Sequence, residues 1–284
     1  MADPLSFALG PYLLQVAVEF GPRVLGFRRD PGPEMFAQLG PDVVIDRPDS
    51  GVYRFRGGHR LWASPEVPVI TYAPDDEPCG VTSMTGNVTS VNTLGRKDRA
   101  GLVKGIDVMQ SDGIARVDHV LANAGSEPIE IAPWAITQLR LGGEAIIPIE
   151  GQADPNRLQA NRNLVMWPYT DLTDPRVTFH SGALSVRADA GPAFKVGTGP
   201  DPGRLGYLLD GHLFTKTVEP SHDGPYPDRG AVGQFYLGEV FCELETVGRL
   251  VTLDPGEETS HREVWEIEEC DSLESAVTRL SGDS

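Results

Sequence analysis

The stretch EVFCELETVGRLVTLDPGEETSHREVWEI, from Glu239 to Ile267, decides how the chain is read. Its first segment alternates, with Val240, Cys242 and Leu244 on one face of a strand and Glu239, Phe241, Glu243 and Glu245 on the other. Two carboxylates two residues apart on a strand share a face at about 7 Å. Pro255-Gly256 supplies a turn, and the return segment sets His261, Glu263, Trp265 and Ile267 on a common face. The pattern is strand, turn, strand, turn, strand.

Composition extends that pattern to the whole chain. Gly 32 and Pro 24 make up about a fifth of 284 residues, as many short strands joined by tight turns require. That length buries a sizeable core. A formal charge of −17 excludes nucleic acid and anionic membranes as partners, since both need a cationic face; it leaves neutral or cationic small molecules. Met1-Ala2-Asp3-Pro4 lacks the basic start of a signal peptide, and no run approaches eighteen apolar residues, so a cytoplasmic protein is expected. Cys79, Cys242 and Cys270 are odd in number and far apart, and predict three reduced thiols. The acidic turn Pro74–Pro78 lacks the spacing and central glycine of a calcium loop and reads as solvated, with no metal expected.

Upstream, Tyr12–Phe20 and Arg23–Arg29 form a hairpin around Gly21-Pro22, with Arg23 at the surface or between sheets. In the segment Val52–Thr71 the Gly57-Gly58 pair lets the backbone pass close to something. Arg56, His59, Arg60 and Trp62 crowd around that pair. Aromatic rings stack on the apolar face of a pyranose, and arginine and histidine donate to its hydroxyls. The other reading is a tight hairpin whose arginines answer the many acids.

Arg162, Trp167 and Tyr169 repeat the aromatic-plus-arginine composition after a polar loop over Gly151–Asn163. Trp134 is a stacking platform or core, Gln138 a hydroxyl reader, and His119 a satisfied buried residue. Lys195 and Lys216 each sit among apolar neighbours, which usually means snorkelling at an edge. Lys216 is favoured to point inward, to Glu243 or Glu245. The loop His222–Gly230 precedes the key strand and offers Tyr226 and Asp228 as lining. Only the tail reads as helix, Leu273–Leu280, capped by Asp271 and stopped by Gly282.

Leu244-Glu245-Thr246 followed by Leu253-Asp254-Pro255-Gly256-Glu257 resembles the C-terminal end of the aldose 1-epimerase (galactose mutarotase) family. The Gly-Gly-His-Arg-Leu-Trp run at 57–62 and Glu-Leu-Glu-Thr at 243–246 are similar to elements of that superfamily's uncharacterised mutarotase-like members. The resemblance implies an all-β supersandwich of two large antiparallel sheets as one domain over 1–284, with the site on the concave sheet. It implies Glu245 as catalytic base, a free sugar or sugar derivative as substrate, and no cofactor.

Relatives carry their general acid, a histidine, on the strand after a turn like Asn123–Pro128; here Ala132–Gln138 contains none. His59 is then the best replacement acid and His261 the second. Arg60, Trp62, Trp134, Arg162, Trp167, Tyr169, Lys216, Tyr226, Asp228, Glu243 and His261 are the expected substrate contacts. The implied activity is an isomerase opening and reclosing a sugar ring, in a monomer or homodimer. The alternatives are a carbohydrate binder without catalysis, or an epimerase or lyase that abstracts a carbon-bound proton.

Overall fold

The computed structural model describes residues 3–85, 89–149, 156, 158–199, 203–219 and 223–281. Two ten-stranded sheets and a separate hairpin, Val44–Arg47 with Gly51–Arg54, hold the strands, and every pairing among the described residues is antiparallel. The middle of the first sheet runs in space Val24–Arg29, Gly58–Ser64, Ile129–Leu139, Cys242–Val247, Gly233–Leu237, Phe194–Thr198. The middle of the second runs His212–Thr217, Glu258–Glu269, Ile114–Asn123, Leu102–Ser111.

Alternation gives each sheet one apolar face, and burying the two faces against each other makes the sandwich. Leu14, Val24 and Phe27 of the first sheet join Val108, Val117 and Trp265 of the second in one cluster. The Phe27 ring meets Trp265 edge-on at 5.3 Å. The expected all-β sandwich of two large antiparallel sheets, with a short C-terminal helix, is what forms.

The stretch that began the reading folds as Cys242–Val247, Val251–Leu253 and Glu258–Glu269. Gly256 takes φ +89 at the turn, and the Glu257 N–H donates to the Asp254 carbonyl at 3.0 Å. Over Val52–Thr71 the chain breaks at the glycine pair, and a strand follows it. One strand ends at Arg54, the next starts at Gly58, and Pro68–Thr71 is a turn of helix.

Three successive positive φ values cause the break: 59° at Arg56, 84° at Gly57 and 70° at Gly58. A Cβ on Gly57 would stand 1.9 Å from the Ala37 carbonyl oxygen, and one on Gly58 2.2 Å from that of Val24. The glycines let the chain pass its own backbone. Gly57→Ala is therefore expected to cost more than ~2 kcal/mol, a clash added to the left-handed strain. A urea midpoint that stays put would contradict this.

The acidic turn answers arginines. Arg23, fully buried, bonds Asp75 at 2.6 Å and the Tyr53 hydroxyl at 2.8 Å, while Asp76 takes Arg54 and Arg56. The tail helix, Leu273–Ser281, is capped by Ser272 rather than Asp271: the Ser275 N–H donates to the Ser272 hydroxyl at 3.2 Å. Gly282, His222 and much of the Gly151–Asn163 loop lie outside the described residues. No helix among those residues is long and apolar enough to cross a membrane.

Candidate active site

Residues directly opposite on antiparallel strands share a face, so register decides what can meet. Ile136 stands opposite both Arg60 and Glu245, and Glu245 opposite Gln234. One step along, Gln138 faces Glu243, Glu243 faces Tyr236 and Tyr236 faces Lys195. Trp134 lies opposite Trp62. Five strands thus deliver Arg60, Trp62, Trp134, Gln138, Glu243, Glu245, Gln234, Tyr236 and Lys195 to one face of the first sheet. It is the outer face, because the intervening residues, His59 and Leu244 among them, pack toward the second sheet.

Glu245 is fully buried. Its Oε2 accepts from the Trp134 indole N–H at 2.7 Å and from the Lys195 ammonium at 2.8 Å, while Oε1 has no partner. Burial raises its pKa, Lys195 lowers it and Glu243 raises it again, leaving the carboxyl pushed up to about 7. Lys195 sits 4.7 Å from the ring centroids of both Trp134 and Trp167. Beside this pair, Arg60 bonds Glu243 at 2.9 Å and stacks on Trp62 at 4.0 Å. The Tyr169 hydroxyl titrates high because it is desolvated and close to Glu245, and Tyr236 does so from desolvation and the charge of Glu243.

Polar groups in this patch are left over. Arg60 Nε and Nη1, both amide atoms of Gln138, Gln234 Oε1 and Glu245 Oε1 are buried without partners. Each such atom costs about 1–3 kcal/mol if nothing answers it.

His59 does not belong to this group. It is adjacent to Arg60 on a strand and so must point the other way. It lies opposite Thr137, and its ring meets Trp265 of the second sheet at 4.7 Å between centroids. His261, half-buried on the second sheet, likewise turns its Nε2 inward, 2.7 Å from Thr246 Oγ1. Lys216 pairs with Glu263 at 2.8 Å rather than with Glu243 or Glu245, and also donates to the Ala135 and Leu244 carbonyls. The expectation that any of these three touches a substrate beside Glu245 is corrected by strand parity.

Around the rim, Tyr169 is 48 % exposed and Arg162 is exposed on the approach to Leu164–Met166. Asp228 reaches the patch only through Gln234, whose Nε2 donates to it at 3.2 Å. Tyr226 lines a different cleft. Lys195 is the residue that reading by segments missed, since an isolated FKVGT strand gives no sign that its lysine opposes Tyr236.

Between the sheets, His59, His119 and Glu263 turn one ligand atom each into a space where all three lie within 4.8 Å. Two imidazoles and a carboxylate suit a transition ion. Their hydrogen bonds, however, close without one. His119 Nδ1 donates to the His261 carbonyl at 2.9 Å, so its Nε2 accepts from His59 Nε2 at 2.7 Å. His59 Nδ1 then accepts from the Thr137 hydroxyl at 2.9 Å. The Lys216 ammonium supplies the cation that Glu263 needs.

No protein-family model matches the chain, and comparison with curated protein sequences gives no match. Solved structures do match. A protein from Synechocystis sp. PCC 6803 superposes at TM-score 0.59 with 11% identity, over 94% of this chain and 97% of that one. A candidate aldose 1-epimerase from Escherichia coli K12 gives 0.54 and 14%, over 94% and 99%. A galactose mutarotase-like protein from Lactobacillus casei gives 0.56 and 10%, over 93% and 100%. At these identities what is shared is the fold.

Proposed function

We propose, from the galactose mutarotase-like fold as premise, that this chain is a carbohydrate-active protein of aldose 1-epimerase type acting on a free sugar or sugar derivative. One observation carries the proposal. Buried, unpartnered donors and acceptors surround Glu245 on a single sheet face, beside aromatic rings. A pyranose supplies hydroxyls for the polar atoms and C–H faces for the rings. The two ion pairs of the patch, Arg60 with Glu243 and Lys195 with Glu245, balance, which suits a neutral ligand.

Ring opening needs a base at the anomeric hydroxyl and an acid at the ring oxygen. Glu245 Oε1 takes the O1 proton, the C1–O5 bond breaks as C1=O1 forms, and O5 takes a proton from Lys195. Rotation about C1–C2 and the reverse transfers give the other anomer. Lys195 replaces the interior His59 as the acid, because it stands on the same face and 2.8 Å from the base. Real-time NMR of α-glucose and α-galactose equilibration tests this. Lys195→Met is expected to lower kcat by about 10²-fold with a smaller change in KM. An unchanged kcat would remove Lys195 from the chemistry.

A second reading, a sugar binder without turnover, is favoured by the strand Ile129–Leu139, which carries no histidine. Saturable sugar binding by calorimetry, with anomer exchange no faster than in buffer, would select it.

A further inference from the structure

Away from the Glu245 face, the second sheet has an opening. The strand His212–Thr217 pairs with Glu258–Glu269 only as far as Thr217 opposite Val264. Beyond that point residues 258–263 are laddered to Ile114–Asn123 on one side and, among the described residues, have no strand of their sheet on the other. The gap is a cleft of about 630 Å³, floored by Val232 and Val247 and walled by Arg116, Arg249, Arg262 and His261. That is the size of a small-molecule site.

Its lining is basic although the chain's formal charge is −17. Arg262 and Arg116 share one carboxylate, Asp118, at 2.5 and 3.3 Å. Arg249, exposed at the wall, has no carboxylate partner among the described residues. Among the described residues, Glu219 is the one acid that lines the cleft. The three guanidiniums that line the cleft outnumber its one lining carboxylate and the Asp118 that two of them share. That local excess favours an anion over a cation in this cleft. His261 stays neutral here, its pKa lowered to about 3, chiefly by burial.

We infer that this cleft binds a small oxyanion, a phosphate or a carboxylate, through Arg249 and Arg262. The planar guanidinium forks match either group in paired hydrogen bonds. The site is separate from the sugar chemistry proposed above and does not depend on it.

Calorimetric titration of the full chain with inorganic phosphate, and separately with citrate, at low ionic strength tests the inference. At least one anion is expected to bind saturably, and the tighter one identifies the class. Arg249→Gln should weaken it at least tenfold. Arg187→Gln, an exposed change outside the cleft, should leave it intact. Three results would overturn the inference: no saturable heat with either anion, undiminished binding by Arg249→Gln, or equal weakening by both variants. The last would mean that overall charge, not this cleft, is being read. A circular-dichroism melt shows that each variant is folded, as expected for exposed side chains.

Discussion

Replacing Glu245 by Gln is expected to slow the equilibration of α-galactose at pH 8 by about 10²–10⁴-fold, the usual worth of one positioned proton transfer. The change is nearly isosteric and keeps an acceptor for the Trp134 indole, so what it removes is the base and the negative charge that Lys195 pairs with. In the wild type, activity should rise with pH through about 7, because burial and Glu243 lift the carboxyl there despite Lys195. The sign follows from which form works: below that pH Glu245 is protonated and cannot accept the O1 proton. The same raised pKa makes the ionised form a burden on folding. Its contribution to stability is fully present below the ordinary carboxylate value of 4.5 and is lost as pH rises through about 7. Equal rates for wild type and Glu245→Gln, or a rate independent of pH between 5.5 and 8.5, would end the catalytic proposal.

Much of this architecture was legible because it depends on period-two alternation and turn chemistry, which are local. Glu243 and Glu245 share a face, and His261, Glu263 and Trp265 share another, as their spacing requires. What failed was the joining of strands. Gly57 through Trp62 reads as one cluster, yet alternation sends Arg60 and Trp62 outward and His59 inward, a consequence available in the sequence. Lys195 was out of reach for a different reason. Its meeting with Glu245 needs Phe194–Thr198 to lie one strand beyond Gly233–Leu237, and nothing local states that order. The Gly57-Gly58 pair signals a close approach but not its object, since a carbonyl of the same chain and a ligand demand the same missing Cβ.

The largest effect on stability is expected at Lys216, directly behind the Glu245 strand. Its ammonium is fully buried and donates to Glu263 at 2.8 Å, Leu244 O at 3.1 Å and Ala135 O at 3.3 Å, using all three protons. Burial works against charge on both partners and lowers the Lys216 pKa. The ammonium still holds Glu263 below the ordinary carboxylate value, against its own desolvation, so the pair is ionised. Glu263 also accepts from the Trp265 indole at 2.7 Å and from the Thr246 hydroxyl. Lys216→Met keeps the length of the side chain and leaves that carboxylate uncompensated, which should cost about 3–5 kcal/mol in urea denaturation at pH 7. Because Glu263 titrates low, the loss should shrink as pH falls and the orphaned acid takes up a proton. Glu263→Gln added to Lys216→Met should recover most of it, since a neutral amide can keep the indole and hydroxyl bonds. A double variant no more stable than Lys216→Met would show that packing, rather than the buried charge, sets the cost. The Leu244 carbonyl that Lys216 holds belongs to the peptide bond leading into Glu245. The single variant should therefore also disturb the base, and sugar-dependent activity should return with the double variant only if strand position, not the ammonium itself, is what Glu245 requires.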